Sequence, residues 1–140
     1  MKDKKNIYRI LDANFNRARE GLRVVEEVLR FFWEDEKLSQ SLKGLRHKLT
    51  KISKQNFDQK LLLKYRDSEG DLGAKGMGLY EGKRKDVKGI VQANLRRSEE
   101  ALRVLEEFGK IIKKGSAESF KDLRFKLYTL EKEILSLFRE

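Results

Sequence analysis

The chain has 140 residues, 33 Lys and Arg against 23 Asp and Glu, a net charge of +10, no proline, no cysteine and a single histidine. That length suits one domain, residues 1–140, burying roughly two thirds of its unfolded surface. Lack of cysteine excludes disulfides, thiolate nucleophiles, iron–sulfur clusters and cysteine zinc sites, and the lone His47 leaves no histidine-rich metal site and little room for a Ser-His-Asp triad.

No apolar run approaches the ~20 residues of a membrane span. The opening Met1-Lys-Asp-Lys-Lys-Asn6 precedes no secretory-type apolar stretch, so the expected location is the cytoplasm. The positive charge asks for an anionic partner: a nucleic acid, a phosphorylated metabolite or an acidic protein surface. Because Lys and Arg are interleaved with Glu along the helices, local anion sites are favoured over one nucleic-acid stripe.

The first helix is expected from Asn6 or Ile7 to Trp33, with apolar positions at Leu11, Ala18, Leu22, Val25, Leu29 and Phe32. Gly21 lowers its propensity without diverting its path. Glu34-Asp35-Glu36 makes an acidic turn that starts a second helix with a seam of Leu38, Leu42, Leu45, Leu49 and Ile52, packed on the first as a hairpin. Where it ends is open: Phe57, Leu61 and Tyr65 could extend its face, or Leu61-Leu62-Leu63 could be irregular.

A long loop follows over about residues 65–85, with glycines at 70, 73, 76, 78 and 82. Such a connection inside a domain is more often functional or mobile than a tether, although a linker remains the alternative. It is no Walker phosphate loop, since the Gly-Lys-Ser/Thr ending is missing. Asp86 caps a third helix through Lys113, Lys114-Gly115 closes it, and Ser116 caps a fourth with the seam Phe120, Leu123, Leu127, Leu130, Ile134 and Leu137.

The chain repeats itself. Residues 11–30 recur as residues 91–110, with Ala13/Ala93, Asn14/Asn94, Arg17/Arg97, Glu20/Glu100, Leu22/Leu102, Arg23/Arg103, Val24/Val104 and Glu26-Glu27/Glu106-Glu107 in register. Leu45-Arg46-His47-Lys48-Leu49 is echoed by Leu123-Arg124-Phe125-Lys126-Leu127. The expected fold is all-α: a duplicated helical hairpin, about 8–64 and 86–138, forming a four-helix pseudo-twofold bundle around a long Gly-rich central loop.

On a wheel of roughly 100° per residue, Asn14 and Arg17 fall within the apolar arc, and Asn94 and Arg97 do the same in the second copy. Buried polar groups must find partners, so they form either an ion-pair and amide network or a ligand site. As a site, the arginines offer a fork for phosphate and the asparagines read a heterocycle edge. Glu20, Glu27, Glu100 and Glu107 would orient the arginines, hold Mg²⁺ or poise a hydroxyl. Arg46 and Arg124 could reach phosphate, or pair with Glu27 and Glu107. In the loop Arg66, Asp67, Asp71 and Lys75 could close over a polyphosphate with an aspartate on Mg²⁺, or form an exposed charged turn. His47 lies off the helical seam and reads as a solvated residue.

Four blocks, RILDANFNRAREGLRVVEEVLRF, LRHKL, YRDSEGDLG and KRKDVKGIVQANLRRSEEALRVLEEFGK, resemble the ThiD2 family of hydroxymethylpyrimidine-phosphate kinases, often fused in front of thiamine-phosphate synthase, and the resemblance covers the chain from about Tyr8 to Leu137. The resemblance implies transfer of phosphate from ATP, with Mg²⁺, to 4-amino-5-hydroxymethyl-2-methylpyrimidine phosphate, giving the diphosphate used for thiamine. On that expectation Arg17, Arg97 and Arg66 are the catalytic candidates. Asn14, Asn94, Glu20, Glu100, Arg46 and Arg124 bind substrate, and Asp67 and Asp71 hold the metal. The chain ends at Glu140 with no barrel after it, so it is expected not to be the synthase itself. Association with a separate synthase and a homodimer are the expected partnerships. The competing readings are a basic helical nucleic-acid-binding module and a non-catalytic partner of a synthase barrel. Local pairing with glutamate and the lack of an aromatic platform weigh against nucleic acid. Gly76-Met77-Gly78 has no assigned role.

Overall fold

The computed structural model describes residues 2–74 and 84–138. Lys75 and Gly76-Met77-Gly78, singled out above, lie outside the described residues. Helix α1 spans Lys2–Glu27 and widens into a π turn at Val28–Phe32; α2 spans Glu36–Asn56 and α3 Gln59–Lys64; α4 spans Val87–Ile112 and α5 Ser116–Leu135, followed by a 3-10 turn at Ser136–Phe138. The fold is all-α, with five α-helices and no strand among the described residues. No helix among them is long and apolar enough to cross a membrane.

The helix starts follow side-chain capping. Asp35 Oδ1 accepts from Leu38 N at 2.9 Å, Asp58 Oδ1 from Lys60 N and Leu61 N, and Asp86 Oδ1 from Gly89 N at 2.8 Å. Each satisfies amides that have no partner in the first turn. Helix α5 departs from expectation: its cap is Gly115, without a side-chain bond, and Ser116 is the first helical residue, its hydroxyl buried. At the other hairpin tip Glu34 adopts φ 51°, the left-handed conformation that ends the π turn and lets Asp35 restart the chain as α2. The open end of α2 resolves at Asn56: Phe57 is extended, and the Leu61-Leu62-Leu63 stretch belongs to the separate short α3.

Helices α1 and α4 form the central contact. Ser98 Oγ donates to the Ala18 carbonyl at 3.2 Å, while Gly21 faces Ser98 and the Asn94 carbonyl, so advancing along α1 means retreating along α4: the pair is antiparallel. A Cβ at position 21 would collide with Ser98 Oγ and lie 2.8 Å from Asn94 O. The glycine that weakens α1 as an isolated helix is what lets the two backbones approach. Ala18 and Ser98 are matched positions of the repeat. Lys48 on α2 and Lys126 on α5, also matched, stand side by side, and the Lys126 ammonium lowers the pKa of Lys48.

The core joins both hairpins. Leu11, Leu22, Leu29, Leu42, Leu49, Leu95, Leu102, Leu105, Leu123 and Leu127 are fully buried. Near one end Phe15 of α1 meets Phe57 and Phe120, each at 5.8 Å between ring centroids, and Phe57 stacks on Phe120 at 6.2 Å. Gly109 provides the room, since a Cβ there would sit 3.2 Å from Phe57 and 3.1 Å from Phe120. This cluster fixes the α2–α3 junction against α1. The Tyr8 hydroxyl then accepts from Asp58 N at 3.2 Å, and Tyr8 packs on Tyr65 at 6.5 Å. Residue 66 is thereby delivered to the flank of α1.

Candidate functional site

A cleft of about 510 Å³ lies between the N-terminal half of α1 and residues 66–71. Arg66 anchors its rim. Its Nε donates to Asp12 Oδ2 at 2.7 Å and its Nη2 to Asp12 Oδ1 at 2.6 Å, a two-pronged pair that raises the pKa of the guanidinium. Asp12 is buried, whereas Arg66 is partly exposed, so the tie contributes on the order of 1 kcal/mol. It uses two of the three guanidinium nitrogens and leaves Nη1 as a further donor. Beyond Arg66 the chain turns on its own carboxylates: Asp67 Oδ1 accepts from Gly70 N at 2.9 Å and Asp71 Oδ1 from Gly73 N at 2.8 Å. Asp67 wraps so closely on Gly70 that a Cβ there would strike its carboxylate.

On the α1 side Asn14 is buried at 4% exposure, its amide donating to the Ile10 carbonyl at 2.9 Å. Its Oδ1 receives a long contact of 3.4 Å from Arg17 Nη1. Arg17 itself is exposed, outside the buried arc where the helical wheel put it; three residues on from Asn14 its side chain has rotated to the rim. Asn14, Arg17, Arg66, Asp67 and Asp71 of the expected site therefore share this cleft. Arg9 and Asn16 also line it, and neither was anticipated. The signal was available: Asn6, Arg9, Asn16 and Arg17 recur at helical spacing as a polar stripe, with only the small Ala13 between them on that face. Arg19, just beyond, donates to Asn16 Oδ1 at 2.9 Å; burial lowers its pKa and Asp12 opposes that shift.

The other expected residues lie elsewhere. Glu20 and Arg46 border a shallow groove of about 450 Å³ with Arg19, Arg23 and Val24. Glu100 and Arg124 border a groove of about 580 Å³ with Arg96, Glu99, Arg103, Val104 and Tyr128. Asn94 repeats the bond of Asn14, donating to the Ile90 carbonyl at 2.8 Å. Arg97 is exposed on α4 and lines neither the cleft nor these grooves. Arg46 and Arg124 are engaged in matched pairs. Arg46 Nε lies 3.0 Å from Glu26 Oε1, and Arg124 Nη2 2.9 Å from Glu106 Oε1. The partners are Glu26 and Glu106 rather than Glu27 and Glu107, because one residue turns the side chain by about 100°. Glu27 and Glu107 face outward to Arg23 and Arg103.

Glu99 was also unanticipated. It is 7% exposed, and desolvation together with a hydrogen bond to the Glu131 carboxyl pushes its pKa up to about 8, against the opposing charge of Arg96. Glu99 therefore keeps its proton at neutral pH. His47 is exposed, as expected.

For a divalent cation the donors that fit are Asp67 and Asp71, two carboxylates in one cleft, each with a single oxygen on a backbone amide. Mg²⁺ is commonly held by one or two carboxylates completed by phosphate and water. Among the described residues no group of three or more His, Cys, Asp and Glu gathers in metal-holding geometry.

The ThiD2 family model matches residues 9–133. The chain is 46% identical over 129 residues to a thiamine-phosphate synthase of Synechocystis sp., covering 92% of this chain and 36% of that protein. It is 42% identical over 129 residues to that of Nostoc punctiforme, covering 92% and 35%, and 36% identical over 132 residues to that of Rhodopirellula baltica, covering 94% and 35%. The chain thus spans 35–36% of the length of these relatives. No solved structure matches it.

Proposed function

Because the chain belongs to the ThiD2 family, we propose that it is a phosphomethylpyrimidine kinase, transferring the γ-phosphoryl group of ATP to 4-amino-5-hydroxymethyl-2-methylpyrimidine phosphate. An oxygen of the substrate phosphate forms the new bond to phosphorus as the bond to the ADP oxygen breaks, giving the diphosphate and ADP. That oxygen is already anionic, so no strong protein base is needed, and alignment and charge neutralisation carry the rate.

The observation that supports this reading is the cleft, which gathers Arg9, Arg17 and Arg66 beside Asp67 and Asp71. The arginines hold phosphate oxygens, and Asn14, fixed by Ile10, orients Arg17. Asp67 and Asp71 take the cation. Mg²⁺, when bound, neutralises charge on the phosphates. Arg97, the repeat mate of Arg17, has a smaller role in this reading because it stands outside the cleft.

The duplicated architecture belongs to the same proposal. We read residues 1–140 as one domain in which hairpins 8–64 and 86–138 are related by a pseudo-twofold axis. The axis would pass between Ala18 and Ser98 and between Lys48 and Lys126. The protein would act in the cytoplasm and hand its product to thiamine-phosphate synthase, the activity named for its relatives. Exposed Phe31, Phe32 and Ile111 offer apolar surface for that enzyme or for a second copy.

The test is incubation with ATP, Mg²⁺ and the pyrimidine monophosphate, with direct detection of the diphosphate. Product should form, and Arg17→Ala should lose about 100-fold in kcat/KM with Arg97→Ala less affected. Folded protein that makes no diphosphate would overturn the assignment.

A further inference from the structure

We propose that the groove between α4 and α5 is a binding site for a flat, aminated nitrogen heterocycle, with the Glu99 carboxyl reading an amino group and the adjacent ring nitrogen. Adenine and a 4-aminopyrimidine both present that edge, so the inference rests on the kinase reading and deepens it. It addresses what a duplicated frame leaves open, namely how two similar halves serve two different substrates.

The argument starts from matched positions. The groove of the first half is lined by Arg19, Glu20, Arg23, Val24 and Arg46; the second half has Glu99, Glu100, Arg103, Val104 and Arg124 in their places. Four of the five are identical. The fifth changes from arginine, which only donates hydrogen bonds, to a carboxyl that in its neutral form donates and accepts side by side. That pairing complements an amino donor beside a ring-nitrogen acceptor. A second change replaces Thr50 by Tyr128, a residue 40% exposed whose ring meets Phe125 edge-on at 5.9 Å. The second groove therefore has an aromatic face on which a flat ring can stack, and the first has none at that position.

The Glu99 carboxyl points independently to a ligand. Its residue is 93% buried, it lines the groove, and Oε2 has no hydrogen-bond partner, a costly arrangement unless something completes it. Arg96 and Glu100 of α4 and Glu131 of α5 act on its charge, and Arg103 of α4 with Arg124 and Tyr128 of α5 line the same groove. Burial and Glu131 keep it protonated at neutral pH, and a bound ring nitrogen would accept the hydrogen bond of that proton in place of Glu131. The antiparallel register set by Ala18 and Ser98 brings this stretch of α4 alongside the part of α1 that carries Arg17, so a ring in the groove and phosphates in the cleft occupy the same level of the bundle.

The test measures binding without turnover. Wild type, Glu99→Gln and Glu99→Leu are titrated calorimetrically with ATP, with purine riboside triphosphate, which lacks the amino group, and with the aminopyrimidine phosphate. Glu99→Leu should weaken one of the two amino ligands at least tenfold and leave the other within twofold; the ligand that responds is the occupant. Glu99→Gln, which still donates and accepts, should bind near wild type. Affinity of the responding ligand should fall above about pH 8 in wild type and stay flat in Glu99→Gln. If ATP responds, purine riboside triphosphate should bind weakly and ignore residue 99. Folded Glu99→Leu, verified by thermal unfolding, that binds both amino ligands as wild type does, or loses both equally, overturns the inference. A wild type that turns over while residue 99 has no effect removes this inference alone; a wild type that makes no diphosphate removes the kinase reading instead.

Discussion

The cleft on α1 and the groove on α4 and α5 lie at different positions of the internal repeat, and they are built from different chemistry. In the first hairpin Phe57 breaks α2, α3 follows, and the Asp12–Arg66 pair draws a carboxylate-bearing turn over α1. In the second, α5 runs on to a 3-10 turn whose Phe138 packs on Trp33 at 5.2 Å. What the halves share is framework: Glu26 with Arg46, Glu106 with Arg124, and the asparagine amides on Ile10 and Ile90. What separates them is confined to a few positions, above all Arg19 against Glu99 and Thr50 against Tyr128. On the duplicated-hairpin reading proposed above, the identities mark the scaffold and the mismatches mark the division of labour.

The largest test attacks the contact on which both halves depend. Gly21→Val, meeting Ser98 and the Asn94 backbone carbonyl, should cost more than about 3 kcal/mol. Denaturant unfolding would measure it, and a loss under 1 kcal/mol would mean that the helices are not packed this closely.

Next come the matched ion pairs. Arg46→Ala and Arg124→Ala each strand a carboxylate that is almost buried, Glu26 or Glu106. Each should lose about 3 kcal/mol, and the two losses should agree within about 1 kcal/mol if both pairs are framework. A stable Arg46→Ala beside a severely destabilised Arg124→Ala would break the equivalence.

A smaller effect separates the halves by pH. The folded-state pKa of Glu99 is raised from 4.5 to about 8, so the native state holds this proton more tightly than the unfolded chain does. Its stabilising contribution is complete below pH 4.5 and is lost as pH rises to about 8. Glu99→Gln should remove that slope and be the more stable protein at pH 9, by about 1–3 kcal/mol. Parallel melting curves across pH for the two proteins would refute the shift.

The smallest belongs to the cleft. Asp12→Asn keeps the shape but loses the charge that holds Arg66, and should cost about 1 kcal/mol because Arg66 is partly solvated. Its sharper readout is proteolysis near residues 66–71, which should quicken; an unchanged cleavage rate would show that the turn does not depend on this tie.

Sequence alone determined a good deal of this protein. Apolar spacing of three to four residues marked the long helices, Asp86 marked the start of α4, and the internal repeat joined the matched segments without any knowledge of contacts. These are local properties, set by backbone periodicity and capping. The candidate site was legible in part, because Asn14, Arg17, Arg66, Asp67 and Asp71 stood out by type and position. That they share a cleft, while Arg97 stands outside it, required the path of the chain through Phe57 and α3. Asp12 and Glu99 escaped notice for the same reason. A carboxylate on a helix looks the same whether it faces water, Arg66 from 54 residues away or the carboxyl of Glu131. Only the tertiary structure decided which of these each one meets, because burial and long-range pairing, not local sequence, set the cost of a charge.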